Sequence, residues 1–253
     1  YCRSACKGPN NSIWFGTVAG LIVYWPDQDR FYYYTEDTNI PNSLSNKFIN
    51  CLEFENDTIV WLGTFQGGLN RGIISNKEPG KIKFDHFTYD YKDPASISEN
   101  NIASIFIAAN GDLWIGTANN GLNYFNRKEE NFIRYTKDHG FASNKILSIL
   151  EDNDKILWMA NPAGLIKFDP LKKSIVNYKV SLDRQIFYFN NNGCFKHDEL
   201  MIFSTRENLV AFKPSAITSY KPPDKVKLTG FKISNQTIHP GEKYPKKIVL
   251  HKS

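Results

Sequence analysis

Short apolar runs alternate with turn-forming residues along most of the chain, and no amphipathic pattern is long enough to indicate an extended helix. The runs have the length of β-strands, and clusters of Gly, Asn, Asp and Ser bound them. One boundary, Asn110-Gly111-Asp112, has the residues that a tight hairpin turn requires. The pattern therefore predicts an all-β protein made of short antiparallel strands.

A tryptophan motif recurs along the chain at similar intervals. Its five copies begin at Trp14, Trp61, Trp114, Trp158 and Ile202, with steps of 47, 53, 44 and 44 residues. The first three copies have the form Trp-x-Gly-Thr, the fourth is Trp-Met-Ala-Asn, and the fifth is Ile-Phe-Ser-Thr. Self-similarity with a period of roughly 20–50 residues indicates a repeat architecture.

Other positions recur in register with the tryptophan. Gly-Leu pairs follow it at Gly20-Leu21, Gly68-Leu69, Gly121-Leu122 and Gly164-Leu165, and Asn208-Leu209 takes this place in the fifth copy. An apolar run introduced by Asn46, Asn100 or Asn144 precedes it in the second, third and fourth copies. These marks divide each copy into four strands, which are predicted at 48–54, 59–64, 69–73 and 84–89 in the second copy and at 102–107, 113–117, 122–125 and 132–135 in the third.

Four antiparallel strands in each unit of roughly 40–50 residues make the blade of a β-propeller, so about five blades are predicted. The repeated Trp is expected to be a wedge buried between neighbouring blades, and the Gly two residues later to allow close approach of the next blade. The Gly of each Gly-Leu pair is expected to supply the unusual backbone angles of a turn.

The units have the form S-N-x-I-x-x-I, a turn, W-I-G-T, a loop and G-L-N-x-Y/F, with the best copies at 102–125 and 143–168. They resemble the two-component regulator propeller repeats, which form the extracytoplasmic sensor of hybrid two-component systems in Bacteroidetes-type bacteria. The resemblance implies a periplasmic, non-enzymatic sensor fragment of a membrane-anchored histidine kinase that responds to glycan-derived ligands. Propellers of this family usually have seven blades, so upstream blades are expected to be missing.

The C-terminal part departs from the repeat. Residues 1–214 are predicted to be the propeller and 215–225 a linker. Residues 226–253 resemble the opening of the three-tyrosine immunoglobulin-like domain of these sensors, and they are too few for a β-sandwich of ~100 residues.

A blade at a free end exposes a sheet face that is built to pack on a neighbour. The five blades are therefore expected to form an open arc, or a ring completed by another chain, and to self-associate.

Charge and cysteine spacing exclude several function classes. The net charge of +5 divides into −2 for residues 1–212 and +7 for residues 213–253. The basic tail has no Arg and few aromatic residues, so no nucleic-acid partner is expected. The four cysteines form no CxxC pair and have no His at ligand spacing, so no metal or cofactor is expected either.

The sequence contains no recognisable catalytic motif. No histidine recurs with the repeat, and the acids Glu151, Asp152 and Asp154 lie where turns are expected. A polysaccharide lyase or glycosidase would need paired carboxylates, or a Tyr and His pair, at the channel mouth. That alternative and a pure protein-interaction scaffold stay open at this point.

The loops between the second and third strands, and those that join one blade to the next, gather at one end of a propeller channel. Ligand contacts are expected at the variable positions of these loops. A mixture of amide and aromatic side chains suits an oligosaccharide. The candidate ligand-binding residues are Phe65, Gln66, Asn119, Asn120 and Arg206.

Overall fold

A computed structural model of the protein describes residues 1–75, 81–182, 185–186, 188–217, 231–233 and 236–238. The chain divides into two compact units, Tyr1–Ala216 and Ile217–Ser253. Across the described residues the helical elements are short 3-10 turns, and none is a helix long and apolar enough to cross a membrane.

The first unit is a series of five antiparallel sheets, or blades. Blade 1 consists of β1 (Cys2–Lys7), β2 (Ile13–Thr17), β3 (Gly20–Trp25) and β4 (Arg30–Tyr34). Blade 2 consists of β5 (Ile49–Asn56), β6 (Ile59–Thr64), β7 (Leu69–Ile74) and β8 (Ile82–Phe87). Blade 3 consists of β9 (Ile102–Ile107), β10 (Leu113–Thr117), β11 (Leu122–Asn126) and β12 (Asn131–Tyr135). Blade 4 consists of β13 (Ser148–Glu151), β14 (Leu157–Asn161), β15 (Gly164–Asp169) and β16 (Ser174–Tyr178).

A two-stranded hairpin, β17 (Ser181–Leu182) and β18 (Gln185–Ile186), precedes blade 5. Blade 5 consists of β19 (Phe189–His197), β20 (Leu200–Thr205) and β21 (Leu209–Phe212). It departs from the four-stranded prediction, because residues 188–217 contain three strands. Pro214, which has no N–H to donate to a ladder, begins a 3-10 turn just after β21.

The blades follow one another around a channel. The first strand of each blade packs on the first strand of the next, which joins β1 to β5, β5 to β9, β9 to β13 and β13 to β19. Within each blade the strands pair in sequence order. The predicted all-β propeller of about five blades is thus confirmed. The predicted bounds of β6, β9 and β10 agree with the structure, and other bounds in blades 2 and 3 shift by one or two residues.

The repeated tryptophans are buried between blades, as the repeat predicted. Trp14, Trp61 and Trp158 are fully buried and Trp114 is 3% exposed. The indole of Trp61 packs in a cluster that includes Leu113 and Ile115, which flank the tryptophan of blade 3. One face of blades 1 to 4 therefore presents a tryptophan, and in the inner blades the other face receives the tryptophan of the blade before it.

The glycine two residues after the tryptophan allows the next blade to approach. A Cβ atom at Gly63 would lie 2.5 Å from Cγ2 of Ile102, at the start of β9. At Gly116 the same atom would lie 2.8 Å from Cγ2 of Ile146. A side chain at these positions would collide with the start of the next blade's first strand or with the residues just before it.

The loop between the second and third strands is closed in the same way in several blades. The Thr64 hydroxyl donates to the Gly68 carbonyl oxygen at 2.8 Å, and the Thr117 hydroxyl donates to that of Gly121 at 2.9 Å. Gly121 has φ +91°, and a Cβ there would collide with the carbonyl oxygen of Tyr135. The repeated Thr and Gly are therefore scaffold residues.

Blade 1 leaves uncovered the face that points away from blade 2. Ile13 and Phe31 on this face are 38% and 54% exposed. Their register equivalents in blade 3, Leu113 and Phe132, are buried with Trp61 of the preceding blade. This face of blade 1 thus carries the apolar residues that, in blade 3, pack against the tryptophan of the preceding blade. No described residue covers them.

The opposite end of the series presents the complementary surface. Leu209 of blade 5 occupies the place of Leu122 in blade 3, which is fully buried against blade 4. Leu209 is 67% exposed, and Phe195 on the neighbouring β19 is 61% exposed. The five-blade series is therefore uncovered at both ends within the described residues.

The second unit is described through one hairpin, formed by β22 (Phe231–Ile233) and β23 (Gln236–Ile238). The remainder of the predicted segment 226–253, and most of the predicted linker 215–225, lie outside the described residues. The domain bounds and the immunoglobulin-like assignment stay predictions.

Candidate functional site

A cavity of about 430 Å³ lies at the end of the channel where the first strands begin and the loops between second and third strands converge. We call it the mouth cavity. Residues of blades 1, 2, 4 and 5 contribute to its wall. Those with polar or aromatic side chains include Arg3, Asn50, Lys145, Tyr188, Asn190 and Arg206. The geometry is that of a pocket open to solvent and surrounded by rigid strands.

Of the five predicted ligand residues, Arg206 lies on the wall of the mouth cavity and the other four do not. Phe65 is partly exposed and packs on Phe48, with 5.4 Å between ring centroids. Gln66 is an exposed residue with φ +70° in the same loop. Their assignment as ligand-binding residues stays a prediction.

The two predicted asparagines are held within blade 3. The Asn119 side chain donates to Oε1 of Glu99 at 2.9 Å. The Asn120 side chain donates to the Ser98 carbonyl oxygen at 3.1 Å. These bonds tie the loop after β10 to the segment before β9, so both amides have a structural role in addition to any role toward a ligand.

Sequence reasoning missed most of the wall of the mouth cavity. Arg3 and Asn50 lie near the starts of first strands, and Lys145 lies in the loop that joins blade 3 to blade 4. The residues named from the sequence all came from the loops between second and third strands, although the loops between blades were also expected near the channel. Tyr188 and Asn190 lie at the start of β19. The sequence gives little indication of these residues, because the beginnings of first strands vary as much as the loops do. How near they lie to the channel axis depends on how the blades are arranged around it.

Aromatic rings and backbone contacts orient the polar groups of the mouth cavity. The Arg3 guanidinium lies over the Phe48 ring at 5.3 Å, and that of Arg206 lies over the Tyr188 ring at 5.4 Å. The Asn50 side chain donates to the Ile102 carbonyl oxygen at 2.8 Å, which leaves its own oxygen as an acceptor. The Asn190 side chain donates in the same way to the Thr205 carbonyl oxygen at 2.9 Å.

The first strands of blades 1, 2 and 5 bring three thiols near one carboxylate. Burial raises the pKa of Cys6 and of Cys51 to about 12 and that of Cys194 to about 11, and the charge of Glu53 contributes in the same direction. All four cysteines of the chain are free. These buried thiols stay protonated at neutral pH and are poor nucleophiles.

Glu53 itself is partly buried on β5, and burial raises the pKa of its carboxyl. A raised folded-state pKa means that the carboxylate destabilises the fold at neutral pH, and that this cost disappears as the pH falls below the unfolded value of about 4.3. We therefore expect Glu53→Gln to raise the midpoint of thermal unfolding at pH 7, with the difference from wild type vanishing near pH 4. A lower midpoint for the variant at pH 7 would show that the carboxylate makes a stabilising contact.

Other candidate chemical groups have structural partners. The Glu151 carboxylate accepts from the Ala109 amide at 3.0 Å, and the Asp152 carboxylate accepts from the Trp158 indole at 2.8 Å. His86 contacts the Ser43 carbonyl oxygen, and His139 accepts from the Thr136 amide. Among the described residues no group of His, Cys, Asp and Glu could hold a metal ion.

Two segments of the chain match the family model described as "Two component regulator propeller". They are residues 96–119 and 140–163, which contain the tryptophan motifs of blades 3 and 4. The chain is also 30% identical over 235 residues to Histidine kinase P4 of Formosa agariphila. That alignment covers 92% of this chain and 17% of the kinase, so the chain spans a small part of the length of that relative.

Solved structures share the fold at lower identity. The extracellular domain of the hybrid two-component system BT3049 from B. thetaiotaomicron has a TM-score of 0.69 at 22% identity, over 86% of this chain and 29% of that one. The corresponding domain of BT4673 has a TM-score of 0.67 at 15% identity, over the same shares of the two chains. A virginiamycin B lyase from Staphylococcus aureus has a TM-score of 0.53 at 13% identity, over 82% of this chain and 78% of that one. These likenesses establish the propeller fold, and a fold carries many functions.

Proposed function

We propose that this chain, two segments of which match the two-component regulator propeller model, is part of the periplasmic sensor region of a hybrid two-component system. The parent protein would be a membrane-anchored histidine kinase, and this part of it would bind a glycan-derived oligosaccharide and pass the signal on through its C-terminal unit. The observation that carries the proposal is the homology to a histidine kinase over nearly the whole chain. The mouth cavity, whose wall is polar and aromatic, supports the binding role.

A propeller lyase or glycosidase is the second candidate, and the lyase that shares the fold supports it. The adjacent carboxylates Glu151 and Asp152 argue against it, because the hydrogen bonds that they accept are part of the blade scaffold. Incubating the purified chain with a panel of polysaccharides and measuring new reducing ends or unsaturated products tests this alternative. Turnover would defeat the sensor proposal.

The sensor proposal is tested in the complete kinase with a transcriptional reporter and the same glycan panel. Alanine at Phe65, Gln66, Asn119, Asn120 and Arg206 is expected to weaken the response to the active glycan. All five residues are exposed, and such substitutions typically change stability by ~0.5 kcal/mol or less where the side chain makes no structural contact. Asn119 and Asn120 make hydrogen bonds within blade 3, so thermal unfolding of each variant is measured beside the response. Tyr91→Ala is a matched control, because Tyr91 is a highly exposed aromatic residue outside the predicted set. An unchanged response after all five substitutions would reject the predicted residues.

We also propose that the isolated chain associates head to tail with a second copy. Blade 1 exposes the apolar residues that receive a neighbouring blade, and blade 5 exposes Leu209 where other blades bury their leucine against a neighbour. Because the two surfaces are different and complementary in register, the contact would be heterologous, and it would form chains or a closed ring.

Sedimentation velocity over a range of concentrations tests this association. We expect the weight-average mass of wild type to rise with concentration, and the double variant Ile13→Lys/Phe31→Lys to remain monomeric because two charges cannot be buried against an apolar partner. Leu209→Lys, at the other end, should have the same effect. Tyr91→Lys, which is exposed elsewhere, should associate like wild type. A wild-type chain that stays monomeric at every concentration would contradict the proposal.

A further inference from the structure

We infer that the mouth cavity takes an anionic saccharide, one that carries a carboxylate or a sulfate group. This inference rests on the proposed sensor function and specifies the class of its ligand. Three cationic residues line the cavity, and they come from separate places in the fold. Arg3 begins blade 1, Lys145 precedes β13 of blade 4, and Arg206 follows β20 of blade 5.

The charge of these residues is not neutralised by the described protein. No carboxylate is among the described residues that line the cavity. The guanidinium groups of Arg3 and Arg206 lie on aromatic rings, at 5.3 Å from Phe48 and 5.4 Å from Tyr188. Stacking of this kind orients a guanidinium and leaves the N–H groups at its edge free to donate.

Two other arginines of the propeller are paired with carboxylates. Arg71 is paired with Asp85 at 2.8 Å and with Glu130 at 2.7 Å. Arg127 is paired with Glu55 at 2.9 Å. Residues 1–212 have a net charge of −2, so three unpaired cations around one cavity are a local excess on a nearly neutral body. A ligand with negative charge supplies the missing partners.

The remaining groups suit the hydroxyl groups of a sugar. Asn50 and Asn190 use their amide N–H groups on backbone carbonyls, so their side-chain oxygens remain available to accept. Asn191 adds an exposed amide to the wall. The cavity volume of about 430 Å³ is in the range of sites for small ligands, roughly 300–1,000 Å³. Cationic groups together with amide acceptors in one cavity are what an acidic oligosaccharide requires.

Isothermal titration calorimetry of the whole chain tests this inference with pairs of probes that share a sugar backbone, of which one member carries the anionic group and the other is neutral. The carboxylate pair is a galacturonic acid trimer and its fully methyl-esterified form. The sulfate pair is a 6-sulfated galactose trimer and its unsulfated form. We expect a charged member to bind at least tenfold more tightly than its neutral counterpart, and binding to weaken as ionic strength rises. The pair that shows this difference identifies the anionic group.

Substitutions assign the effect to the mouth cavity. Arg3→Gln, Lys145→Gln and Arg206→Gln are each expected to weaken binding of the charged probe about tenfold, with little change for the neutral form. Arg30→Gln removes an exposed cation from the outer strand of blade 1 and should bind like wild type. Thermal unfolding of every variant shows whether it is folded. Since Lys145 is an exposed residue, at least that substitution should leave the fold intact.

The outcomes separate this inference from the sensor proposal. Equal binding of charged and neutral probes, or binding of neutral probes alone, would overturn the anionic class and leave a glycan sensor standing. Binding of neither charged probe, or binding unaffected by all three substitutions, would also overturn the inference. Failure of the complete kinase to respond to any glycan would reject the proposed ligand class as a whole.

Discussion

Trp61→Ala is expected to destabilise the propeller by about 3–5 kcal/mol, the usual cost of truncating a buried tryptophan. The Trp61 side chain is fully buried between blades 2 and 3, and its ring centroid lies 5.3 Å from that of Phe125. Its indole N–H donates to the Glu55 carboxylate at 2.7 Å. Truncation would leave a cavity between two blades and remove a hydrogen bond to a charged acceptor.

Urea unfolding followed by far-ultraviolet circular dichroism measures the effect of Trp61→Ala without depending on tryptophan fluorescence. Tyr91→Ala is the control, because Tyr91 is 77% exposed and its removal should cost ~0.5 kcal/mol or less. A loss below ~1 kcal/mol for Trp61→Ala would mean that the tryptophan is not the wedge between blades that the repeat implies.

Gly121→Ala is expected to cost about 2–5 kcal/mol, although it adds one methyl group. Gly121 has φ +91°, which costs a residue with a Cβ roughly 1–2 kcal/mol. The added carbon would also collide with the carbonyl oxygen of Tyr135 at the end of β12, and overpacking of this kind typically costs about 1–3 kcal/mol. Relief of the collision would move β12 or open the loop that Thr117 closes.

Gly111→Ala separates the two contributions. Gly111 has nearly the same backbone angle, φ +89°, but no atom lies within 4 Å of the position that its Cβ would occupy. We expect this variant to show the backbone cost alone, about 1–2 kcal/mol, measured by the same urea titration. If both variants lost the same stability, the contact with the Tyr135 carbonyl oxygen would add no cost, and the backbone angle alone would explain the glycine at position 121.

Residues that repeat along the chain were assigned correctly from the sequence because each of them makes the same contact in several blades. A tryptophan at a fixed offset from Gly-Thr and Gly-Leu packs between two blades in each copy that has it. The strands around it can be predicted from the alternation of buried and exposed positions. The same logic identified the fifth copy, although Ile202 replaces the tryptophan. Residues 188–217 contain three strands where the repeat predicted four.

Residues that do not repeat carry a weaker signal, since a loop position says little about what it faces. Asn119 and Asn120 were chosen as variable loop positions, and their side chains hold Glu99 and the Ser98 carbonyl within blade 3. Their role toward a ligand stays a prediction. Arg3 and Lys145, which the sequence did not single out, are brought to the mouth cavity by the curvature of the ring.

The sequence by itself determined the all-β class, the period, the strand positions and the buried wedge of each blade. These are local or nearest-neighbour properties, set by alternation of apolar residues and by glycines that must lack a side chain. Only the tertiary structure decided which side chains surround the channel and which charges lack a partner. Residues about 200 positions apart, such as Arg3 and Arg206, share one cavity because the blades turn about a common axis, and no local pattern encodes that distance.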